Sequence, residues 1–304
     1  MVSVIYVNYN TSQLIIESVA SLKVHCRQIP FEIIVVDNHS RMEEQHILRQ
    51  WQQQQSGDGL QVLFSTENLG FGKANNLAVK HSNGKYLFFL NPDTLILNDV
   101  LSIFYNFLES ADQKIAACGG NLLKPDGSLN DSYGNFPGFL QELCHMGLGI
   151  RFLFNSYYQK KVAIAVPVSN NEVMEVPYLV GADLFIRAEC FKLVQGFDEN
   201  YFLYYEETDL FKSLSRQGFK ACIIPQARIV HFEGASVNAE SPDFNYRKFE
   251  MLLKSKRYYY EKWIPFYLRP FIMMIVFLQT LTQYLKGSMG DNFPRLMNSY
   301  WKAN

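Results

Sequence analysis

Residues 2–10 read VSVIYVNYN, residues 31–38 read FEIIVVDN and residues 86–94 read YLFFLNPDT. Each is a run of β-branched, aromatic and aliphatic residues closed by polar ones: Asn8-Tyr9-Asn10, Asp37-Asn38 and Asn91-Pro92-Asp93. Apolar runs of this length without alternation suit strands buried on both faces. Between them lie segments of helical spacing. Leu14, Ile15, Ser18, Val19 and Leu22 form one stripe, with Thr11 or Ser12 as its cap. A polar, Gln-rich helix follows the second strand and breaks at Gly57-Asp58-Gly59. Gln61 to Phe64 is a third strand, Lys73 to His81 a short helix and Tyr86 to Leu90 a fourth strand. The alternation predicts an α/β fold, a mostly parallel central sheet with helices on both faces. Ligands of such sheets sit beyond the carboxyl ends of the strands, and there the polar residues collect.

Farther along, Pro125-Asp126-Gly127-Ser128 reads as a hairpin turn. Residues 130–175 mix Gly, Phe, Tyr and Leu without a clear period. A strand is expected from Val176 to Val180, then Gly181-Ala182-Asp183 and a further apolar run, Leu184 to Arg187. Asp209 to Gln217 is helical, with Leu210, Phe211 and Leu214 on one face and Gly218 as its stop. The tail changes character: residues 258–285 read YYYEKWIPFYLRPFIMMIVFLQTLTQYL. Its apolar heart, Phe271 to Leu278, is short of the ~20 residues that span a bilayer. Aromatic and basic neighbours suit a membrane interface; the alternative is a core helix docked on the main domain. The expected organisation is a main domain over 1–245 and a helical extension over 246–304 that contacts membrane or another copy.

The totals exclude several classes. With 304 residues, 48% hydrophobic and 19% charged, and a net charge of -1, the chain is neither disordered nor a basic nucleic-acid binder. Five cysteines form no C-x-x-C pair, and several lie in apolar runs. They read as reduced, buried thiols, and with no basic segment before Val2 the expected location is cytoplasmic.

Five groups can carry chemistry. An acid just past a buried strand, as in Asn91-Pro92-Asp93-Thr94, can hold a hard cation at a diphosphate, or the four residues form a plain turn. Glu206, Glu207 and Asp209 open a helix, where acids complement its dipole by roughly 0.3–1 kcal/mol each. One of them can instead serve as general base, its pKa raised by like charge and aromatic neighbours. His231, at the end of a strand-like run, is a structural residue or a metal ligand. In residues 68–76, NLGFGKANN, backbone amides and Lys73 can meet phosphate at a helix start. Asn75 replaces the last glycine of a G-x-G-x-x-G pattern there, and the loop follows the third strand, which excludes a dinucleotide fingerprint. Asp37 accepts a hydrogen bond from a nucleoside, or caps a helix.

In order, VSVIYVNYN (2–10), EIIVVDNHS (32–40), ENLGFGKANN (67–76), YLFFLNPDT (86–94), VGADLFIR (180–187), GFDENYFLYYEETDL (196–210) and ARIVHFEGAS (227–236) resemble glycosyltransferase family 2. The likeness is greatest to rhamnosyltransferase-like members acting on bacterial surface polysaccharides, and it covers about residues 2 to 240. It implies the GT-A fold, a nucleotide diphosphate sugar donor and a divalent metal, Mg²⁺ or Mn²⁺. Asn91-Pro92-Asp93 falls at the family's D-x-D motif with Asn91 in place of the first acid, so the metal is expected on Asp93 and His231. The donor side comprises Asn8, Asn10, Asp37, Asn68, Lys73, Asn76, Asn91 and Asp93. Glu207 falls at the second acid of the E-D pair, the catalytic base, where many relatives have Asp. Glu206 and Asp209 orient the site or cap the helix, and Gly181, Ala182 and Asp183 shape the acceptor side.

The reaction so implied is an inverting transfer onto a hydroxyl of a glycan, itself lipid-linked if the tail meets a membrane at its cytoplasmic face. The donor favoured by resemblance is dTDP-L-rhamnose, with UDP-hexoses as the alternative. Specificity is expected from residues 130–175 and 181–183, and a homo-oligomer is compatible. A sugar nucleotidyltransferase would need a Gly- and Arg-rich loop where Asn8-Tyr9-Asn10-Thr11 stands. A non-catalytic nucleotide-sugar-binding module has no need of a base.

Overall fold

The computed structural model of the chain describes residues 1–55, 59–146, 172–232, 246–285 and Leu296. It falls into two compact units, one of 1–134, 165–200 and 206–239 and the other of 135–164, 201–205 and 240–304. In chain order the elements begin with β1 (Val2–Asn8), α1 (Ser12–His25), β2 (Phe31–Asp37), α2 (Met42–Gln54), β3 (Leu60–Phe64), α3 (Phe71–Val79) and β4 (Tyr86–Leu90). Next come β5 (Thr94–Ile96), α4 (Val100–Ser110), β6 (Ile115–Leu123), β7 (Tyr133–Gly134), α5 (Phe139–His145), β8 (Met174–Val176), β9 (Tyr178–Leu179) and β10 (Asp183–Arg187). The last are α6 (Ala188–Leu193), α7 (Glu206–Arg216), β11 (Lys220–His231), α8 (Tyr246–Trp263) and α9 (Arg269–Leu285).

The first unit is built on a nine-stranded sheet of order β3-β2-β1-β4-β10-β6-β11-β5, with β8 also paired to β11. Its β3-β2-β1-β4 half is all parallel, as the apolar runs require. Side chains alternate across it. Val2, Val4, Tyr6, Tyr86, Phe88 and Leu90 join Ile15, Val19 and Leu22 of α1 and Leu48 and Trp51 of α2 in one core. Phe89, one residue out of phase, meets Phe191 and Phe197 with ring centroids 5.1 and 5.2 Å away. Helices therefore cover both faces, and each large apolar side chain so buried stabilises the fold by roughly 1.5–3 kcal/mol.

The other half is mixed. β10 runs antiparallel to both β4 and β6, while β6 and β11 are parallel. Neither α4 nor β6 was foreseen, although Asp99 caps α4 by accepting from the Ser102 amide and Val100, Leu101, Phe104 and Leu108 recur at helical spacing. β6 reads IAACGGNLL, and its small residues have low strand preference. They serve close packing instead: a Cβ on Gly120 would lie 2.6 Å from the Ala227 carbonyl oxygen, where the register of β11 shifts around Pro225.

Several expectations change in detail. Val176 to Val180 is not one strand: β8 and β9 flank Pro177 and join different sheets, β8 to β11 and β9 to β7. Pro177 has no N–H with which to continue a ladder. Neither Thr11 nor Ser12 caps α1 with its side chain; Glu44 Oε2 accepts from the Ser12 amide at 2.9 Å and Asn8 Oδ1 from the Thr11 amide at 3.1 Å. The helix expected at Lys73 to His81 begins at Phe71 and ends at Val79. The Pro125–Ser128 turn is present, closed by Lys124 N–H to Ser128 O at 2.8 Å, and Gly218 ends α7 with φ of +85°. All five cysteines are free and buried. Gly57-Asp58, residues 147–171 of the segment expected to set specificity, and 233–236 of the last matched segment lie outside the described residues.

In the second unit, Tyr201, Leu253, Tyr259, Tyr260, Ile272, Met273, Val276 and Leu296 form a separate core. Buried Glu142 of α5 pairs with Lys256 at 2.8 Å and accepts from the Tyr260 hydroxyl, both on α8. Gln279 of α9 donates to its backbone oxygen at 2.8 Å, so one residue ties three helices together. No described helix is long and apolar enough to cross a membrane.

Candidate active site

The polar edge foreseen at the strand ends is real. Parallel register sets Asn8 opposite Asp37. Asn8 Nδ2 donates to Asp37 Oδ1 at 2.8 Å and reaches Ser40 Oγ at 3.1 Å, while the Ser40 amide donates to Asp37 Oδ2 at 3.2 Å. Asn8 and Asp37 are both wholly buried, their polar atoms spent inside the chain. What they hold is the loop above: the Asn10 amide donates to Ser40 Oγ at 2.9 Å, and Asn10 Oδ1 accepts from the Arg41 amide. Asn10 has φ of 59°, a left-handed conformation that asparagine tolerates.

The loop before α3 is stitched to the same edge by Asn38, which was quoted from the sequence as a strand end but given no role. Its Nδ2 donates to Asn68 Oδ1 at 3.0 Å and to the Gly70 oxygen at 3.1 Å, and its Oδ1 accepts from the Leu69 amide at 2.7 Å. Asn68 thus shapes the loop from within. Lys73, half-buried in the first turn of α3, has no hydrogen-bond or ion-pair partner among the described residues. Asn76 is not brought to the group. Its amide pins Phe197, donating to the backbone oxygen at 2.8 Å and accepting from the N–H at 3.0 Å.

The Asn91-Pro92-Asp93 turn rests on a buried hydrogen-bond chain. Tyr6 Oη lies 3.1 Å from Ser18 Oγ, Ser18 Oγ 3.2 Å from Thr94 Oγ1, and Thr94 Oγ1 donates to the Asn91 oxygen at 2.7 Å. Because β5 and β11 pair Thr94 with His231, the imidazole arrives beside the turn. His231 Nε2 stands 3.4 Å from Asp93 Oδ1, with side-chain exposures of 8% and 1%. His231 Nδ1 has no hydrogen-bond partner among the described residues. A buried carboxylate oxygen and an imidazole Nε2 this close fit a shared divalent cation such as Mn²⁺ or Mg²⁺. Among the described residues no third His, Cys, Asp or Glu joins them.

Residues 181–183 link this turn to the acidic helix. The Asn91 amide donates to the Ala182 oxygen at 3.0 Å. One residue earlier, a Cβ on Gly181 would sit 3.9 Å from Glu207 Cδ and 3.9 Å from the ring of Phe71. Ala182 is thus bonded to the Asn91 turn while Gly181, its neighbour in the chain, lies beside the Glu207 carboxylate. Asp183 turns away into the sheet: wholly buried, its Oδ2 accepts from the Gly120 amide at 2.5 Å, and burial drives its carboxyl well above the usual range.

Glu206 and Glu207 differ in setting. Glu206 is buried, its Oε2 without a hydrogen-bond partner among the described residues, and burial followed by the neighbouring Glu207 charge pushes its carboxyl well up. Glu207 is half-buried; burial raises its pKa too, against the lowering effect of backbone amides at the helix start. Asp209 is buried one turn on. Tyr178 was missed by the sequence reading. It hydrogen-bonds Thr208, and burial and then the Glu207 charge raise its own pKa. Nothing in the local pattern around Pro177 marks it. Immediately before α7, Tyr204 and Tyr205 have φ of 69° and 72°. Bulky residues held in the left-handed region cost of order 1–3 kcal/mol each, a strain that gathers at functional sites.

A mixed sheet of this order, with its polar edge and a carboxylate–imidazole pair at a strand end, is the GT-A arrangement. The mannosyltransferase PcManGT from Pyrobaculum calidifontis, solved with GDP-Man and Mn²⁺, superposes with a TM-score of 0.58 at 17% identity, over 98% of this chain and 78% of that one. The chain belongs to glycosyl transferase family 2, whose family model matches residues 3–163. It is 29% identical to rhamnosyltransferase WbbL of Escherichia coli (strain K12) over 172 residues, 54% of this chain and 61% of that protein. It is also 29% identical, over 133 residues, to an N-acetylglucosaminyl-diphospho-decaprenol L-rhamnosyltransferase of Mycobacterium tuberculosis (strain ATCC 25618 / H37Rv). That match takes in 42% of this chain and 40% of that protein, so the chain spans less than two thirds of either relative.

Proposed function

We propose that the chain transfers a sugar, L-rhamnose from dTDP-L-rhamnose, to a hydroxyl of a lipid-linked glycan in bacterial surface polysaccharide synthesis, with inversion at the anomeric carbon. The observation that carries the transferase reading is the placement of Gly181 and Ala182, Ala182 hydrogen-bonded to the Asn91 turn and Gly181 beside Glu207. The rhamnose donor and lipid-linked acceptor are inferred from the names of the two relatives.

On the donor side, Asn10 and the backbone around Asn38 and Asn68 meet the nucleoside, with Asn8 and Asp37 holding them from below. Lys73 and the first amides of α3 meet the diphosphate, where a cation with no partner among the described residues and a helix N-terminus both favour negative charge. Asp93 and His231 hold the divalent ion, which when bound neutralises charge on the departing diphosphate. Asn91 orients the donor from the same turn.

Glu207 accepts the proton of the acceptor hydroxyl as that oxygen bonds to the anomeric carbon. The carbon–oxygen bond to the diphosphate breaks on the opposite face, so one displacement inverts the centre. Between the two acids, access favours Glu207: it is half-buried, while the buried Glu206 suits orientation of the helix start. A raised pKa makes Glu207 a better proton acceptor while leaving it ionised above that pKa. The extension at 246–304 brings the enzyme to the inner face of a membrane that carries the acceptor.

Thermal unfolding in the presence of nucleotides tests the donor site. dTDP with Mg²⁺ or Mn²⁺ raises Tm, by about 2.7 kcal/mol of stabilisation at a hundredfold excess over Kd, and Asp93→Ala removes the shift. If no nucleotide diphosphate raises Tm with either metal, the donor site is wrong.

A further inference from the structure

Within the second unit, α8 and α9 meet at an ordered elbow. The Leu268 amide donates to the Pro265 oxygen at 2.9 Å, and Arg269 Nε donates to the Ile264 oxygen at 2.9 Å. At its tip Phe266 and Tyr267 are 77% and 61% exposed, their rings packed on each other at 5.7 Å. Helix α9 then carries two apolar stripes. Ile272, Met273, Val276 and Thr280 face the unit's core, while Phe271 and Met274 stand exposed, four and seven residues after Tyr267. A helix on a water-facing surface carries polar residues on its outer stripe; from Pro270 to Met274 this one does not.

Charge narrows what covers that stripe. From Lys262 to Leu285 the chain contains no acidic residue, and its only charges are Lys262 and Arg269. The acid just before, Glu261, is paired with Arg257 at 2.7 Å. Exposed aromatics with basic residues at their margin and no acid among them match a bilayer surface, apolar below and anionic at the headgroups. Covering by a second copy would set these bases against each other with no acid of the same stretch to answer them.

We propose that the elbow is the membrane-inserting edge of the protein: Phe266, Tyr267, Phe271 and Met274 enter the headgroup–acyl boundary, and Lys262 meets anionic headgroups. This rests on the membrane part of the function proposed above and assigns it to particular side chains. Burial of this kind reaches roughly 5–10 Å into the interface without spanning it.

The test is co-sedimentation of the full chain with phosphatidylcholine vesicles, with and without phosphatidylglycerol, for wild type, Phe266→Ser/Phe271→Ser/Met274→Ser and Lys262→Glu. Wild type should bind, more strongly with phosphatidylglycerol. The triple variant should lose roughly tenfold or more of its partition, since three apolar side chains leave the interface. Lys262→Glu should lose most of the preference for the anionic lipid. An unchanged Tm in both variants establishes that they fold. Wild type and triple variant binding equally would overturn the elbow and leave the membrane reading standing, through another surface. No binding by wild type would overturn both. A concentration-dependent dimer of wild type, abolished in the triple variant and without vesicle binding, would assign the stripe to a second copy. The metal-dependent nucleotide shift, which depends on Asp93, is untouched by any of these outcomes.

Discussion

Adding one methyl group at Gly181 separates the stability of the fold from the chemistry of the site. In Gly181→Ala the new carbon would lie 3.9 Å from Glu207 Cδ, 3.9 Å from Phe71 Cε1 and 4.0 Å from Glu207 Cγ. All are ordinary contact distances, and Gly181 is not among the residues with positive φ. The folded state therefore accepts the methyl without strain, and the less flexible unfolded chain favours folding by about 0.4–1 kcal/mol. Tm should be unchanged or higher by up to about 2 °C. Catalysis should respond in the opposite direction. A hydroxyl must come within roughly 2.6–3.2 Å of the base to pass its proton, and the methyl occupies space beside that carboxylate. Displacing the acceptor by about 1 Å costs on the order of a hundredfold, so kcat/KM should fall by roughly ten- to a hundredfold. Thermal unfolding and steady-state transfer on the same preparation measure both. Wild-type kcat/KM would remove Gly181 from the acceptor's path, and a Tm lower by several degrees would contradict the contact distances.

Glu207→Gln should abolish transfer while sparing the metal-dependent nucleotide shift; in the wild type, the rate should rise with pH as the raised Glu207 carboxyl loses its proton, a limb read from a pH–rate profile. Glu206 holds its proton to higher pH folded than unfolded, so its burial costs nothing below the unfolded pKa and progressively more as pH rises through the folded one. Glu206→Gln should therefore gain Tm relative to wild type at about pH 8 and not at about pH 4, which a pair of melting curves decides. Gly120→Ala, with its Cβ 2.6 Å from a backbone oxygen, should lose about 1–3 kcal/mol or more by urea unfolding. Tyr204→Gly relieves a positive φ; stability should hold or rise despite the lost ring, while a change in kcat would tie the strained turn to the placement of α7.

The parallel half of the sheet was legible because its strands bury both faces, so apolar runs such as Ile33 to Val36 announce themselves without a partner. The polar strand ends were legible for the same reason, since a sharp stop in an apolar run marks an edge. Sequence also placed Asp93, Glu207 and His231 in a recognisable order. It could not place β6, whose Gly119 and Gly120 serve a close approach to Asp183 and Ala227 and not strand preference. Nor could it divide the polar residues by task. Asn8 and Asp37 look like ligand contacts and turn out to be buried struts, Asn76 pins Phe197, and Asp183 faces Gly120, each because a partner 29 to 121 residues away claims its hydrogen bonds. Sequence alone determined the class of sheet, its polar edge and the family. Only the tertiary structure decided that His231 stands beside Asp93 and that Glu207 stands beside Gly181. Those meetings depend on strand pairing and helix packing between distant segments, and no local pattern encodes them.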